Sequence, residues 1–258
     1  MPYNMGIKKK FTRRSFILSA GAAFAGTLLP LPAFSRNIDI FDIQPASPQP
    51  TDKITGTSNI ELQLIEEGLI NVSLLDQSLI IDLKYARNDN FMGENVYGDF
   101  TCAYLHPKPA RMLVRANELI RKRHPGLRVL VGEAFRPRFV QHRMWKLVVD
   151  TPMQPYVANP YTGSMHNFGA AVDVTLVNVD TGKELDMGTS MDHFGPLAQP
   201  LLENQFQQQG KLSEEQIANR LILRSAMTDA GWHPINIEWW HFNAFSRDYI
   251  RKNYSIIE

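Results

Sequence analysis

The sequence predicts an α+β domain whose central sheet is antiparallel or mixed and is flanked by helices. Three observations lead there. Helix-like and strand-like periodicities mix along the chain from about residue 58 onward. No glycine-rich phosphate loop follows any strand: Leu127–Val131 runs into Gly132-Glu133-Ala134-Phe135-Arg136-Pro137, which argues against a doubly wound nucleotide fold. Of the 258 residues, the part with globular patterning comes to roughly 200, the size of one domain.

Residues 1–35 stand apart. They hold Lys8, Lys9, Lys10, Arg13 and Arg14, no acid, an apolar run from Phe16 to Leu31, and Ala33-Phe34-Ser35 at the end. That order of charge, apolar run and small residues is the pattern of an export signal. Gly21, Gly26 and Pro30 break the run, which is shorter than the roughly 20 residues a bilayer span needs. Thr12-Arg13-Arg14-Ser15-Phe16-Ile17-Leu18 resembles the twin-arginine signal. The expectation is a periplasmic protein that meets the twin-arginine export machinery transiently and has no membrane partner after cleavage. An uncleaved anchor is the alternative. Residues 36–57, with Pro45, Pro48 and Pro50 and no periodicity, read as a linker, and 58–258 as the folded domain.

Within that domain Leu79–Tyr85 reads as a strand, since its later half alternates apolar and polar residues. Pro107–Arg123 reads as a helix opened by prolines, with Met112, Leu113, Ala116, Leu119 and Ile120 at helical spacing. Leu127–Val131 is a strand rich in branched residues, and Pro137–Val149 a helix with Pro137 in its first turn. Ala170–Val177 is an apolar strand. Ser213-Glu214-Glu215-Gln216 is a capping box whose helix Gly231 stops. Ile237–Phe242 is aromatic and strand-like.

Composition bounds the function. With 44% hydrophobic and 21% charged residues the chain is ordinary globular protein, neither fibrous nor disordered. A single cysteine, Cys102, permits no internal disulfide and no multi-cysteine metal site. The formal charge of +1 is an average over unlike parts. Residues 1–35 hold five of the 27 basic residues and none of the 26 acidic ones, so the remainder carries 22 against 26, a formal −4. No basic patch remains to argue for nucleic acid or anionic lipid.

Of seven histidines, His106, His124, His142, His193 and His233 have no obvious partner and read as structural or solvated. His166 and His241 keep other company. His166 is followed by Asn167-Phe168-Gly169 and, seven residues on, by Asp173 within Ala170-Ala171-Val172-Asp173-Val174. On a straight strand the two would lie roughly 23 Å apart, so a shared metal requires a turn, for which Asn167 and Gly169 are suited. A carboxylate in an apolar strand needs a partner, and a cation is a good one. Glu238-Trp239-Trp240-His241 pairs a carboxylate with an imidazole three residues on. In an ideal strand these face opposite ways, so a bulge or strand end is needed. Each group alone is equally compatible with hydrogen-bonded polar residues of a core. Together, two imidazoles and a carboxylate make a three-ligand catalytic zinc set with a fourth position for water. Arg136 adds a fixed cation able to hold an oxyanion.

These motifs resemble those of the zinc D-Ala-D-Ala dipeptidases, within the larger D-Ala-D-Ala peptidase and hedgehog-like metallopeptidase group. Further likeness lies in Asp82-Leu83-Lys84-Tyr85-Ala86, Asp89-Asn90-Phe91, Val96-Tyr97-Gly98, Cys102-Ala103-Tyr104-Leu105, Phe135-Arg136-Pro137 and Leu185-Asp186-Met187-Gly188-Thr189, so that about 75–245 is covered. The resemblance implies a hedgehog/DD-peptidase-like fold and one zinc ion per chain held by His166, Asp173 and His241. It implies Glu238 as catalytic base, Arg136 as the transition-state arginine, Ser164 at the substrate site, and Asp192 as the acid that holds the substrate's free amino group. The substrate implied is the dipeptide D-Ala-D-Ala. A carboxypeptidase of the same group acting on longer peptides, a zinc-containing binding module without turnover, and a metal-free structural protein are the alternatives. Phe135 stands where many members have Tyr.

Overall fold

The computed structural model describes residues 58–258, which build a mixed sheet flanked by helices. The leader 1–35 and the linker 36–57 lie outside the described residues. The strands are β1 Ile70–Asn71, β2 Ile80–Ile81, β3 Tyr104–Leu105, β4 Leu127–Glu133, β5 Ala171–Asn178, β6 Lys183–Glu184, β7 His233–Pro234 and β8 His241–Asn243. The helices are α1 Asn59–Glu66, α2 Pro107–Arg123, α3 Arg138–Val148, α4 Glu203–Gln208, α5 Glu214–Asp229 and α6 Arg247–Asn253.

The main sheet runs in the order β2-β4-β5-β8-β7. Only β2 and β4 are parallel; the other pairs are antiparallel. Strand β5 is its centre. It pairs with β4 along its length, while its other edge takes β8 at Ala171–Asp173 and β6 at Val177–Asn178. Its first seven residues are buried, which accounts for its continuous apolar run. The small pair β1–β3 sits beside this sheet as a separate ladder.

Helix α2 keeps its sequence-predicted bounds, because Pro107 and Pro109 occupy the first turn, where the missing N–H groups cost nothing. Arg121, Lys122 and Arg123 in its last turn suit the negative end of the helix dipole. It buries Ala110, Leu113, Ala116 and Ile120 completely; each of the two larger side chains contributes about 1.5–3 kcal/mol. The buried Asn117 ties α2 to β4 by accepting from the Val129 N–H at 3.0 Å. Helix α5 packs on α2 and opens with the Ser213 capping box that the sequence predicts. Gly231, just past its end, is left-handed at φ 96°.

Three sequence expectations need correction. Of Leu79–Tyr85 only Ile80–Ile81 pairs as a strand, and Lys84–Ala86 is a 3-10 turn. Lys84 and Asp82 there point their charges into ion pairs with Asp89 and Arg87 at 3.2 and 2.5 Å, so the alternation reflects a solvated loop. Pro137 precedes α3 as its cap, with extended backbone, instead of lying in the first turn. Ile237–Trp240 is a bend, and the strand begins only at His241.

Candidate metal centre

The centre is built where β4, β5 and β8 lie side by side. Register pairs Glu133 with Asp173 and Asp173 with His241, so one row across three strands carries an acid, an acid and an imidazole. Residues directly opposite in a ladder share a face, so the three side chains converge. His166 joins them from a 3-10 turn, Met165–Phe168, that leads into β5. Ser164 caps this turn; its N–H donates to Asn167 Oδ1 at 2.7 Å, and Asn167 Nδ2 donates to the Arg136 carbonyl at 2.8 Å. Gly169 ends it at φ 59°, a left-handed conformation open to glycine, and an added Cβ would come within 2.8 Å of Leu69. Here is the turn that the His166–Asp173 spacing demands.

Three ligand atoms meet. Asp173 Oδ1 lies 2.9 Å from His241 Nδ1 and 3.3 Å from His166 Nε2, and the two ring nitrogens are 3.1 Å apart. A tetrahedral ion with bonds of about 2.0–2.1 Å holds its ligands roughly 3.3 Å from one another, so these spacings fit one ion. The outer ring nitrogens decide the tautomers. His166 Nδ1–H donates to the Ala134 carbonyl at 2.7 Å, and His241 Nε2–H to Asn243 Oδ1 at 2.9 Å. The inner nitrogens therefore present lone pairs to each other and to a carboxylate, an arrangement that a cation satisfies. All three residues are buried. Burial alone would raise the Asp173 carboxyl, but His166 and then His241 outweigh it and hold it well below the ordinary range. Burial would lower His166, yet Asp173 and Glu133 push it up.

Glu238 stands in the bend before β8, its Oε2 4.0 Å from His241 Nδ1. The strand end that the three-residue spacing requires is thus present. The neighbouring tryptophans hold the bend: Trp239 N–H donates to the Ala198 carbonyl at 3.1 Å, the Trp239 indole donates to Thr189 Oγ1 at 2.8 Å, and the Trp240 carbonyl accepts from Val174 N–H at 3.0 Å. Thr189, at the end of the Leu185–Thr189 motif, therefore braces the bend. Burial first, and the charges of Asp173 and Asp192, push the Glu238 carboxyl up to about 8 against the pull of His241 and Arg136. A carboxyl shifted toward neutrality is suited to proton exchange.

Arg136 is buried and clamped. Its Nε donates to Glu133 Oε1 at 2.7 Å, Nη2 to Glu133 Oε2, and Nη1 to Gln141 Oε1 at 2.7 Å. Tyr97 donates to the same Glu133 carboxylate at 2.5 Å, and the guanidinium lies 5.5 Å from the Tyr85 ring centre. Of five N–H groups three are used, leaving one on each terminal nitrogen.

Asp192 lies in the long connection between β6 and α4. Its backbone is left-handed at φ 64°, uncommon for a residue other than glycine. Its Oδ2 is buried with no partner among the described residues. Burial first, then the negative charges of Glu133 and Asp173, push this carboxyl up to about 7. Beside it Phe194 stacks on Tyr156 with ring centres 5.4 Å apart and meets Phe91 at 4.9 Å. Phe91 comes from the Asp89–Phe91 motif, whose Asn90 side chain donates to three loop carbonyls.

All seven residues singled out in the sequence line one cavity of about 240 Å³. That is below the roughly 300–1,000 Å³ of sites for drug-sized ligands, so the space suits a smaller molecule. The other five histidines lie outside the ligand cluster. Among them His106 is partly buried against the Tyr254 ring, 4.4 Å between centres, and burial lowers its imidazole. Cys102 is half-buried, its thiol pushed up to about 11 chiefly by burial, so it is an inert thiol in this setting.

Sequence reasoning passed over Glu133, Gln141, Tyr97 and Asn243. Two of these had a signal. Glu133 closes an apolar strand just as Asp173 interrupts one, and Asn243 lies two residues past His241, on the same strand face. Tyr97 stands within the Val96-Tyr97-Gly98 likeness and Gln141 lies five residues past Arg136, but no local pattern shows that either side chain turns to the Glu133–Arg136 pair.

Residues 66–257 match the family model of the D-Ala-D-Ala dipeptidases. The chain belongs to that family. It is 30% identical over 174 residues to the D-alanyl-D-alanine dipeptidase of Escherichia coli K12, covering 67% of this chain and 83% of that protein. It is 29% identical over 180 residues to the enzyme of that name from Enterococcus faecium, 62% of this chain and 83% of the relative. With the Enterococcus faecalis V583 enzyme it shares 23% over 200 residues, 72% of this chain and 95% of the relative. Membership of the D-Ala-D-Ala dipeptidase family makes the chain a metallopeptidase, with His166, Asp173 and His241 the cluster fit for its metal.

Proposed function

We propose that this D-Ala-D-Ala dipeptidase family member is a zinc enzyme that hydrolyses the free dipeptide D-Ala-D-Ala in cell-wall peptide metabolism, acting in the periplasm after twin-arginine export. The observation that carries the reading is one small cavity in which three lone pairs converge, a buried carboxyl of raised pKa stands 4.0 Å from one of them, and an orphaned carboxylate oxygen lies within the same walls.

His166 Nε2, His241 Nδ1 and the Asp173 carboxylate would hold the zinc, which would supply Lewis-acid polarisation of the carbonyl and a lowered pKa for water. The protein's own groups do the rest. Glu238 takes a proton from the attacking water and returns it to the leaving amine. Arg136, locked by Glu133 and Gln141, offers its two remaining N–H groups to the carbonyl oxygen as that oxygen gains charge. Asp192 receives the substrate's ammonium on Oδ2, and a charge-assisted hydrogen bond relieves the cost of burying that atom unpaired. The Phe194–Tyr156 stack lines the same small cavity as Asp192, and the small volume supports a dipeptide over a longer chain.

Hydrolysis of D-Ala-D-Ala, its N-acetyl form and L-Ala-L-Ala, with and without chelator, tests the reading. The free D-dipeptide alone should turn over well, and only with metal present. Glu238→Ala should keep its zinc and lose about 10²–10⁴-fold in kcat; retained turnover would remove Glu238 from the role of base. The Lys8–Arg14 charges and the run to Leu31 support the periplasmic assignment. Cell fractionation of an Arg13→Lys, Arg14→Lys double variant checks it, and unchanged delivery would refute the twin-arginine route.

A further inference from the structure

The charges that line the cavity sort into paired and unpaired ones. Arg136 is matched by the Glu133 carboxylate, and Asp173 by the two imidazoles and the ion that they fit. Glu238 has its proton to exchange. What is left over is one anion, Asp192, and two cations, Arg247 and Arg251.

Those two arginines lie four residues apart on α6, so they stand one above the other on a single helix face. Both line the cavity that holds the ligand cluster. Both are exposed, and neither takes part in an ion pair among the described residues. Their helix packs against the 3-10 turn that carries Ser164 and His166, which sets their place beside the ligand cluster. Asp192 reaches the same cavity from a different segment, the β6–α4 connection.

A free dipeptide is a zwitterion. Its ammonium and its carboxylate lie on either side of the scissile bond, and this cavity offers unpaired groups to both: Asp192 to the ammonium, two arginines to the carboxylate. We infer that Arg247 and Arg251 form the subsite for the free α-carboxylate of the leaving residue and so select substrates with an unblocked C-terminus. This rests on the dipeptidase reading above. Guanidinium groups suit the task, because their planar donors match a carboxylate in pairs and stay charged at every working pH. Two arginines one turn apart also bring positive potential to the mouth of an otherwise acidic molecule, which favours entry of the carboxylate end.

The test compares D-Ala-D-Ala with D-Ala-D-alaninamide, which keeps the scissile bond and the ammonium and lacks the C-terminal charge. Zinc-loaded wild type, Arg247→Gln, Arg251→Gln, the double variant and Lys252→Gln are assayed on both. Lys252 shares the helix but does not line the cavity. The double variant is expected to lose about 10–100-fold in kcat/KM on the free acid, mostly through KM, and less than about twofold on the amide. Arg251→Lys should restore part of the loss, and Lys252→Gln should behave as wild type on both substrates. Zinc content and thermal melts equal to wild type show that the fold is intact. Equal losses on acid and amide, or no loss on either, would overturn the carboxylate subsite while leaving the dipeptidase reading in place. Wild type that hydrolyses neither substrate would sink that reading, and the subsite with it.

Discussion

Asp192 bears two local costs at once. Its backbone is left-handed, which disfavours a side chain with a Cβ, and its carboxyl is buried with one oxygen unpaired. Such strain persists only where surrounding structure enforces it. Here Met191 is buried against Gly132, where an added Cβ would come within 2.5 Å of the Met191 methyl group. The register of β4 against β5 shifts at this glycine. The carboxyl's ordinary value of 3.8 rises to about 7, mainly through burial. A raised folded-state value means that folding favours the protonated form. The contribution to stability is then full below pH 3.8 and is lost as pH climbs to about 7. Asp192→Asn stays neutral throughout. In paired thermal melts of metal-free protein it should gain Tm over wild type at pH 8 and gain less at pH 5. A difference independent of pH would show that Asp192 is not held near neutrality. The same substitution should weaken the free dipeptide far more than its N-acetyl form.

At the level of elements, the β4-β5-β8 ladder does most to position the site. The period of two along β8 puts His241 and Asn243 on one face, so the strand supplies both a ligand and the acceptor that orients it. Asn243→Ala removes that acceptor, and metal affinity should fall about 10–100-fold, as titration against a competing chelator would read. Affinity equal to wild type would mean that Asn243 does not hold the ring. Helix α2, strand β5 and the Ser213 cap were legible in the sequence because proline placement, a continuous apolar run and a capping box are local signals. The stretch 237–242 was not. Its tryptophans look like strand residues but are used to brace a bend, and the Ala198 carbonyl and Thr189 hydroxyl that receive them lie 40 or more residues away in sequence. Leu79–Tyr85 misled for a different reason: Asp82 and Lys84 alternate with apolar residues to serve ion pairs with Arg87 and Asp89, five residues on, in a loop.

Across the whole molecule the metal site ties together segments that otherwise meet only through the sheet. His166, Asp173 and His241 come from a turn and two strands, all joined at the centre of the sheet, so an ion bound there holds the native state and little of the unfolded chain. At a thousandfold excess over its dissociation constant such a ligand adds about 4 kcal/mol. Chelation should lower Tm by several degrees and added zinc should restore it; a Tm indifferent to both would separate the fold from the metal. The excess of acid over base outside residues 1–35 leaves the α6 arginines as a local exception, and the molecule's net sign says nothing about them.

The sequence by itself determined the donor set, the neighbouring carboxylate and the mixed α+β class. These follow from side-chain chemistry and from spacings of a few residues, which one segment of chain carries within itself. Only the tertiary structure decided which lone pairs converge, that Tyr97 reaches the Glu133 carboxylate that holds Arg136, and that α6 brings two unpaired arginines to the same cavity. Those outcomes depend on strand register and helix packing between segments up to about a hundred residues apart, and no local pattern encodes a contact whose two halves are brought together only when the sheet forms.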